Sequence, residues 1–138
     1  MSALTCGLIA SRPVITITPD RTILDAARIM AERDIGFLVL VEPKNPRRAI
    51  GVISERDIIR TIAKGVPLDS TVDKVDTIGS LLVTVSVDDP ITIAVEKMAR
   101  YRIRHLIVLD RDGNLYGVIA MRDIIGRLSR GRVIFELA

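Results

Sequence analysis

The decapeptide at residues 51–60, GVISERDIIR, returns at residues 117–126 as GVIAMRDIIG, with seven of ten positions identical. An internal repeat constrains the fold of a short chain more than its composition does. Each copy has to be one supersecondary unit, and the copies must bury a shared set of apolar faces. Upstream, TITPDRTILDAARIM (residues 16–30) aligns with TVSVDDPITIAVEKM (residues 84–98), and IGFLVLVE (residues 35–42) aligns with IRHLIVLD (residues 103–110). The connector PKNPRRAI is two residues longer than its counterpart, and it falls where a turn is expected.

Both copies carry the same order of periodicities. A short β-branched strand is predicted at Val14–Thr18 and again at Val83–Val87. Helices follow, in which Ile23, Ala26, Ala27 and Met30, then Ile91, Ala94, Val95 and Met98, recur at helical spacing. Thr22 suits the N-cap of the first, and Pro90 the first turn of the second. Apolar strands are expected at Phe37–Val41 with Ala49–Ile53, and at Leu106–Leu109 with Leu115–Ile119; Asp112-Gly113-Asn114 marks the second hairpin turn. Helices over Glu55–Lys64 and Arg122–Arg130 close the copies, with Gly65 and Gly131 as stops.

The predicted fold is therefore α+β, an α/β sandwich of two β-α-β-β-α repeats related by a pseudo-twofold and packed sheet to sheet. Residues 1–66 form the first repeat with an N-terminal segment, 67–80 a linker, and 81–138 the second repeat with a tail. Each copy has around sixty residues, near the lower limit for an independent core, so the two are expected to fold together. Such packing leaves equivalent clefts between the copies, edged by strand ends and helix N-termini.

Composition narrows the function. The formal charge is +3, and the aromatic residues are Phe37, Tyr101, Tyr116 and Phe135. That is compatible with a small anionic ligand, and it counts against nucleic acid as a partner, since single-strand binders need aromatic platforms. Cys6 is the sole cysteine, which excludes an intrachain disulfide, and His105 is the sole histidine. Neither a zinc site nor a nucleophile–base–orienter set is legible, and no phosphate-binding glycine loop is present, so the chain reads as a non-enzyme without a metal or catalytic cofactor. No apolar run has the length of a membrane span and no signal peptide opens the chain; the expected location is the cytoplasm.

The strand Gly-Val-Ile, a small or polar residue, two variable positions and Asp, found twice within the longer repeat, resembles the CBS domain (cystathionine β-synthase domain). The resemblance covers Val14 to Arg130. It implies a regulatory pair of domains, a Bateman module, that binds an adenine nucleotide: AMP first, ADP or ATP as alternatives, with S-adenosylmethionine as a further one. It also implies a homodimer acting on a regulated protein that the sequence does not identify.

Asp57 follows a strand and opens a helix, where a carboxylate can accept bonds from both ribose hydroxyls. Ser54 adds a hydroxyl, and the helix N-terminus favours a nearby phosphate. Ser54 through Asp57 equally describes an N-cap serine with acids in the first turn; the recurrence of the segment favours ligand binding. In the γ subunit of AMP-activated protein kinase a His-Arg pair before the second strand contacts phosphates. Here Arg104-His105 stands at that place in reversed order, and Gly36-Phe37 holds it in the first copy. Carried over, Ser54, Arg56 and Asp57 combine with Leu82, Val83, Thr84, Arg104 and His105. A weaker second site combines Ala120 and Asp123 with Pro13, Val14, Gly36 and Phe37, with Arg12 or Arg56 as a compensating cation. The competing reading is a ligand-free dimerisation scaffold, which has no use for the Asp57, Ser54, Arg104 and His105 set.

Overall fold

The computed structural model describes residues 4–75 and 82–130. It is a mixed α+β protein whose described part holds two three-stranded sheets. The chain divides into two compact units: Val14–Leu82, and Val83–Ala138 together with Met1–Pro13.

In the first unit, β1 (Thr16–Ile17) leads through α2 (Ile23–Arg33) into β2 (Phe37–Glu42), and β3 (Asn45–Ser54) runs directly into α3 (Glu55–Ala63). The sheet order is β1-β2-β3, parallel for the first pair and antiparallel for the second. Thr22 starts α2 through a capping box: its hydroxyl accepts from the Asp25 N–H at 3.0 Å, and Asp25 Oδ2 accepts from the Thr22 N–H at 3.0 Å. Leu38 and Leu40 of β2 and Ile53 of β3 pack with Ile23, Ala26, Met30 and Ile58 from the helices. By strand alternation Val39 and Val41 lie on the opposite face, and both are buried as well. That explains why β2 reads as an unbroken apolar run. β3 is four residues longer at its start than expected, because Asn45 and the exposed residues after it continue the ladder, with register shifts at Leu40–Val41 and Val41–Glu42. The extra residues of the first connector are thus absorbed in an irregular hairpin.

The second unit repeats this plan with β4 (Thr84–Ser86), α4 (Ile91–Tyr101), β5 (His105–Leu109), β6 (Leu115–Ala120) and α5 (Met121–Arg130), in sheet order β4-β5-β6. Its core joins Val85, Ala94, Met98, Leu106, Val108, Ile119 and Ile124. Pro90 is the N-cap, so α4 begins one residue later than a proline in the first turn would place it. α2 and α4 end on left-handed residues at matching positions, Asp34 (φ 53°) and Arg102 (φ 55°). The next amides, of Ile35 and Ile103, return to the Met30 and Met98 carbonyls, each at 3.0 Å. Gly131 lies outside the described residues.

The N-terminal segment, read from sequence as part of the first repeat, packs in the second unit. α1 (Cys6–Ile9) buries Cys6 in that unit's core, and Thr5 bridges to Pro90 at the start of α4. Reciprocally, the segment ahead of the second repeat packs in the first unit: Val72, in a 3-10 turn at Val72–Lys74, is buried in that core, and Thr71 bridges to Thr22 at the start of α2. Thr5-Cys6 and Thr71-Val72 are thus one further repeated element. Ser11 pairs with Val118 on the free side of β6, donating at 2.8 Å and accepting at 3.2 Å. A Cβ on Gly117 would sit 2.9 Å from both the Ala10 Cβ and the Ser11 carbonyl oxygen, so the glycine that opens the second decapeptide makes room for this crossing segment. No helix among the described residues is long and apolar enough to cross a membrane.

Candidate functional site

The repeated decapeptides bend from the last sheet strand into the closing helix, and the bend is built by the aspartate. In the first unit, Ser54 ends β3 and caps α3. Asp57 Oδ2 accepts from the Ser54 N–H at 2.8 Å, and Ser54 Oγ accepts from the Asp57 N–H at 3.2 Å. Asp57 is only 8% exposed. Thr61, one turn on and also buried, donates its hydroxyl to the Asp57 carbonyl at 2.7 Å. This is a complete capping box, so the structural role weighed from sequence is present. The box uses one of the two carboxylate oxygens.

In the second unit half of the box survives: Asp123 Oδ2 accepts from the Ala120 N–H at 3.2 Å, and Ala120 has no hydroxyl to reciprocate. Both junctions are also tied to the residue before the central strand. The Glu55 N–H donates to the Gly36 carbonyl at 2.9 Å, and the Met121 N–H to the Arg104 carbonyl at 2.8 Å. Phe37 pairs with Ser54 and His105 with Ala120 in the sheet registers. Each unit therefore gathers its own group: Gly36, Phe37, Ser54, Arg56 and Asp57 in one, Arg104, His105, Ala120 and Asp123 in the other. Arg56 and Arg104 are exposed.

The remaining expected contacts divide between the units. Leu82 ends the first, and Val83 opens the second, packed against its core. Thr84 starts β4 opposite Ile107, and its carbonyl accepts from Lys97 Nζ at 2.6 Å. Pro13 and Val14 stand at the other crossing between units. The Arg12 guanidinium lies 3.9 Å from the centroid of the Tyr116 ring, and its Nε donates to the Tyr116 carbonyl at 2.8 Å. Its Nε and one face of the guanidinium are thereby engaged within the second unit.

Sequence reading overlooked one residue here. A Cβ on Gly36 would lie 3.0 Å from Glu55 Oε1 and 3.3 Å from Oε2, so the Glu55 carboxylate rests over the Gly36 backbone. The aligned pair in the other unit is Arg104 with Met121. Setting the decapeptides against each other for their differences, Glu against Met, would have exposed this contrast in charge. Among the described residues no three His, Cys, Asp or Glu side chains are grouped to hold a metal ion.

The comparisons agree with this architecture. The CBS domain family model matches residues 7–64 and 79–130. The chain belongs to the CBS domain family. A 17.7 kDa protein of Acidianus ambivalens is 35% identical over 84% of this chain and 68% of its own length. This chain spans 53% to 68% of the length of four such relatives. Among solved structures, the CBS domain protein PAE2072 of Pyrobaculum aerophilum complexed with AMP superposes with a TM-score of 0.80 at 34% identity, covering 86% of this chain and 88% of that one. The CBS domain pair of protein MJ0100, in complex with 5′-methylthioadenosine and S-adenosyl-L-methionine, gives 0.82 at 26% identity, covering 95% and 99%.

Proposed function

We propose that the chain is a regulatory module that binds an adenine nucleotide, with AMP as the preferred ligand and ADP and ATP as alternatives, and that it transmits occupancy to a partner protein. The observation that carries this reading is the aspartate repeated at the strand-to-helix bend, in a family with a relative complexed with AMP. The Asp57 carboxylate keeps one oxygen outside the capping box for the ribose hydroxyls. Ser54, Arg56, Leu82, Val83, Thr84, Arg104 and His105 complete that site, with Arg104 and His105 facing the phosphate. Val14, Phe37, Ala120 and Asp123 form a weaker one. The module catalyses no reaction, works in the cytoplasm and forms a homodimer. Supporting the dimer, Ile59, Ile62 and Ile125 are 65%, 50% and 50% exposed on α3 and α5, while Ile58 and Ile124 are buried in their cores.

Two other readings have specific support. The MJ0100 complex favours an adenosyl sulfur compound as ligand. The complete capping box at Asp57 fits a ligand-free dimerisation scaffold. A thermal-shift screen with AMP, ADP, ATP, S-adenosylmethionine and NAD separates them. A ligand held at a hundred times its Kd adds about 2.7 kcal/mol, several degrees in Tm. AMP is expected to give the largest shift; a flat response to every compound supports the scaffold and refutes nucleotide binding.

A further inference from the structure

The two strand-to-helix bends share one backbone hydrogen bond and differ in charge. In the first unit the Glu55 carboxylate lies over Gly36 at the first turn of α3, and Asp57 stands in the same turn. In the second unit the matching positions are Arg104 and Met121, and Asp123 is the acidic residue in the first turn of α5. A helix N-terminus with its adjoining amides is a seat for an anion. At α3 a second carboxylate, Glu55, stands beside that seat in addition to Asp57, whereas at α5 the position matching Glu55 is Met121 and Asp123 is the acid of the first turn.

We infer that Glu55 is a specificity-determining residue. At the Gly36 bend it excludes a phosphate and admits an adenosyl compound whose 5′ substituent is neutral or cationic, leaving phosphorylated ligands to the Arg104 bend. This rests on the proposed function and deepens it. The second site is then tuned to a different ligand charge rather than being a worn copy of the first. The physical reason is direct. Two like charges a few ångströms apart at a partly solvated surface repel enough to weaken binding by about tenfold, and a cation in the same place gains by attraction. Glu55 is exposed and stands outside the capping box, so it can be changed without disturbing the bend.

The test is calorimetric titration of the whole chain and of Glu55→Gln and Glu55→Met, with AMP, 5′-methylthioadenosine and S-adenosylmethionine as probes. The wild-type chain is expected to bind about one AMP tightly and to take 5′-methylthioadenosine or S-adenosylmethionine at a second site where AMP binds only weakly. Both variants are expected to tighten a second AMP event by about tenfold, and to weaken S-adenosylmethionine more than neutral 5′-methylthioadenosine. Wild-type AMP binding with both variants unchanged overturns the inference and leaves the proposed function standing. Two equivalent AMP sites in the wild type also overturn it. A wild-type chain that binds no AMP refutes the proposed function and this inference with it.

Discussion

Asp57 accepts a hydrogen bond from the Ser54 backbone amide at 2.8 Å, and Ser54 Oγ accepts in return from the Asp57 amide at 3.2 Å. The pair fastens the end of β3 to the start of α3, and it sets the pose of the carboxylate proposed to bind ribose. Ser54→Ala is expected to lower stability by roughly 1 kcal/mol, the ordinary cost of losing an N-cap hydroxyl. Ala120→Ser, which would complete the box at α5, is expected to raise it by a smaller amount. Urea unfolding of the two variants checks both signs.

The repeat made most of this legible in advance. Two copies of each strand and helix left little freedom in element order, and the capping positions Thr22 and Ser54 were visible because their side chains bond locally. That Thr5-Cys6 recurs as Thr71-Val72 was missed for a physical reason. Each contributes one buried side chain to a core from a single short turn, too little for any periodicity. The start of β3 was missed because Asn45 to Arg48 are exposed and polar, with a proline among them, and only the ladder makes them strand. At the site, recurrence pointed to Asp57 and Asp123, while the charge contrast of Glu55 with Met121 lay in positions that do not recur.

Cys6 is fully buried, and burial, aided by the Asp89 carboxylate, raises its thiol from 9.0 to about 11. A thiol raised on folding holds its proton in the native state after the unfolded chain has lost it. Its contribution to stability is therefore complete below pH 9 and is lost as pH rises from 9 toward 11. Cys6→Val, which copies the equally buried Val72 of the other unit, is expected to remove that part of the alkaline loss. Denaturation midpoints of the two proteins between pH 8 and roughly pH 11 measure it as a difference, which cancels the titration of lysines and tyrosines.

Arg102 ends α4 at φ 55°, a conformation that costs most side chains about 1 kcal/mol and glycine nothing. Arg102→Gly is expected to stabilise the protein by up to about 1 kcal/mol, part of it offset by the greater freedom of glycine in the unfolded chain. Asp34→Gly, at the matching end of α2, is expected to gain less, because aspartate tolerates the left-handed region. Tm values of the two variants rank the effects.

If Arg104 faces phosphate, Arg104→Ala is expected to weaken AMP by roughly 10- to 100-fold, the worth of one hydrogen bond to a charged group, and adenosine far less. Equal losses for AMP and adenosine would move Arg104 away from the phosphate.

If the proposed homodimer forms, light scattering is expected to give a mass near twice that of one chain at micromolar concentration. Ile59→Glu combined with Ile125→Glu is expected to bring it to that of one chain, because both side chains are exposed on the closing helices. A monomeric wild-type protein refutes the dimer.

The central claim is that the two repeated aspartates are unequal in binding nucleotide, and calorimetric titration of AMP into the wild-type chain, Asp57→Ala and Asp123→Ala tests it most directly. Circular dichroism first establishes that each variant is folded, since both changes remove a bond that holds a helix start. Wild type is expected to bind AMP, Asp57→Ala to lose most of that binding, and Asp123→Ala to keep it nearly intact. An Asp123→Ala loss greater than that of Asp57→Ala, in folded proteins, would contradict the assignment.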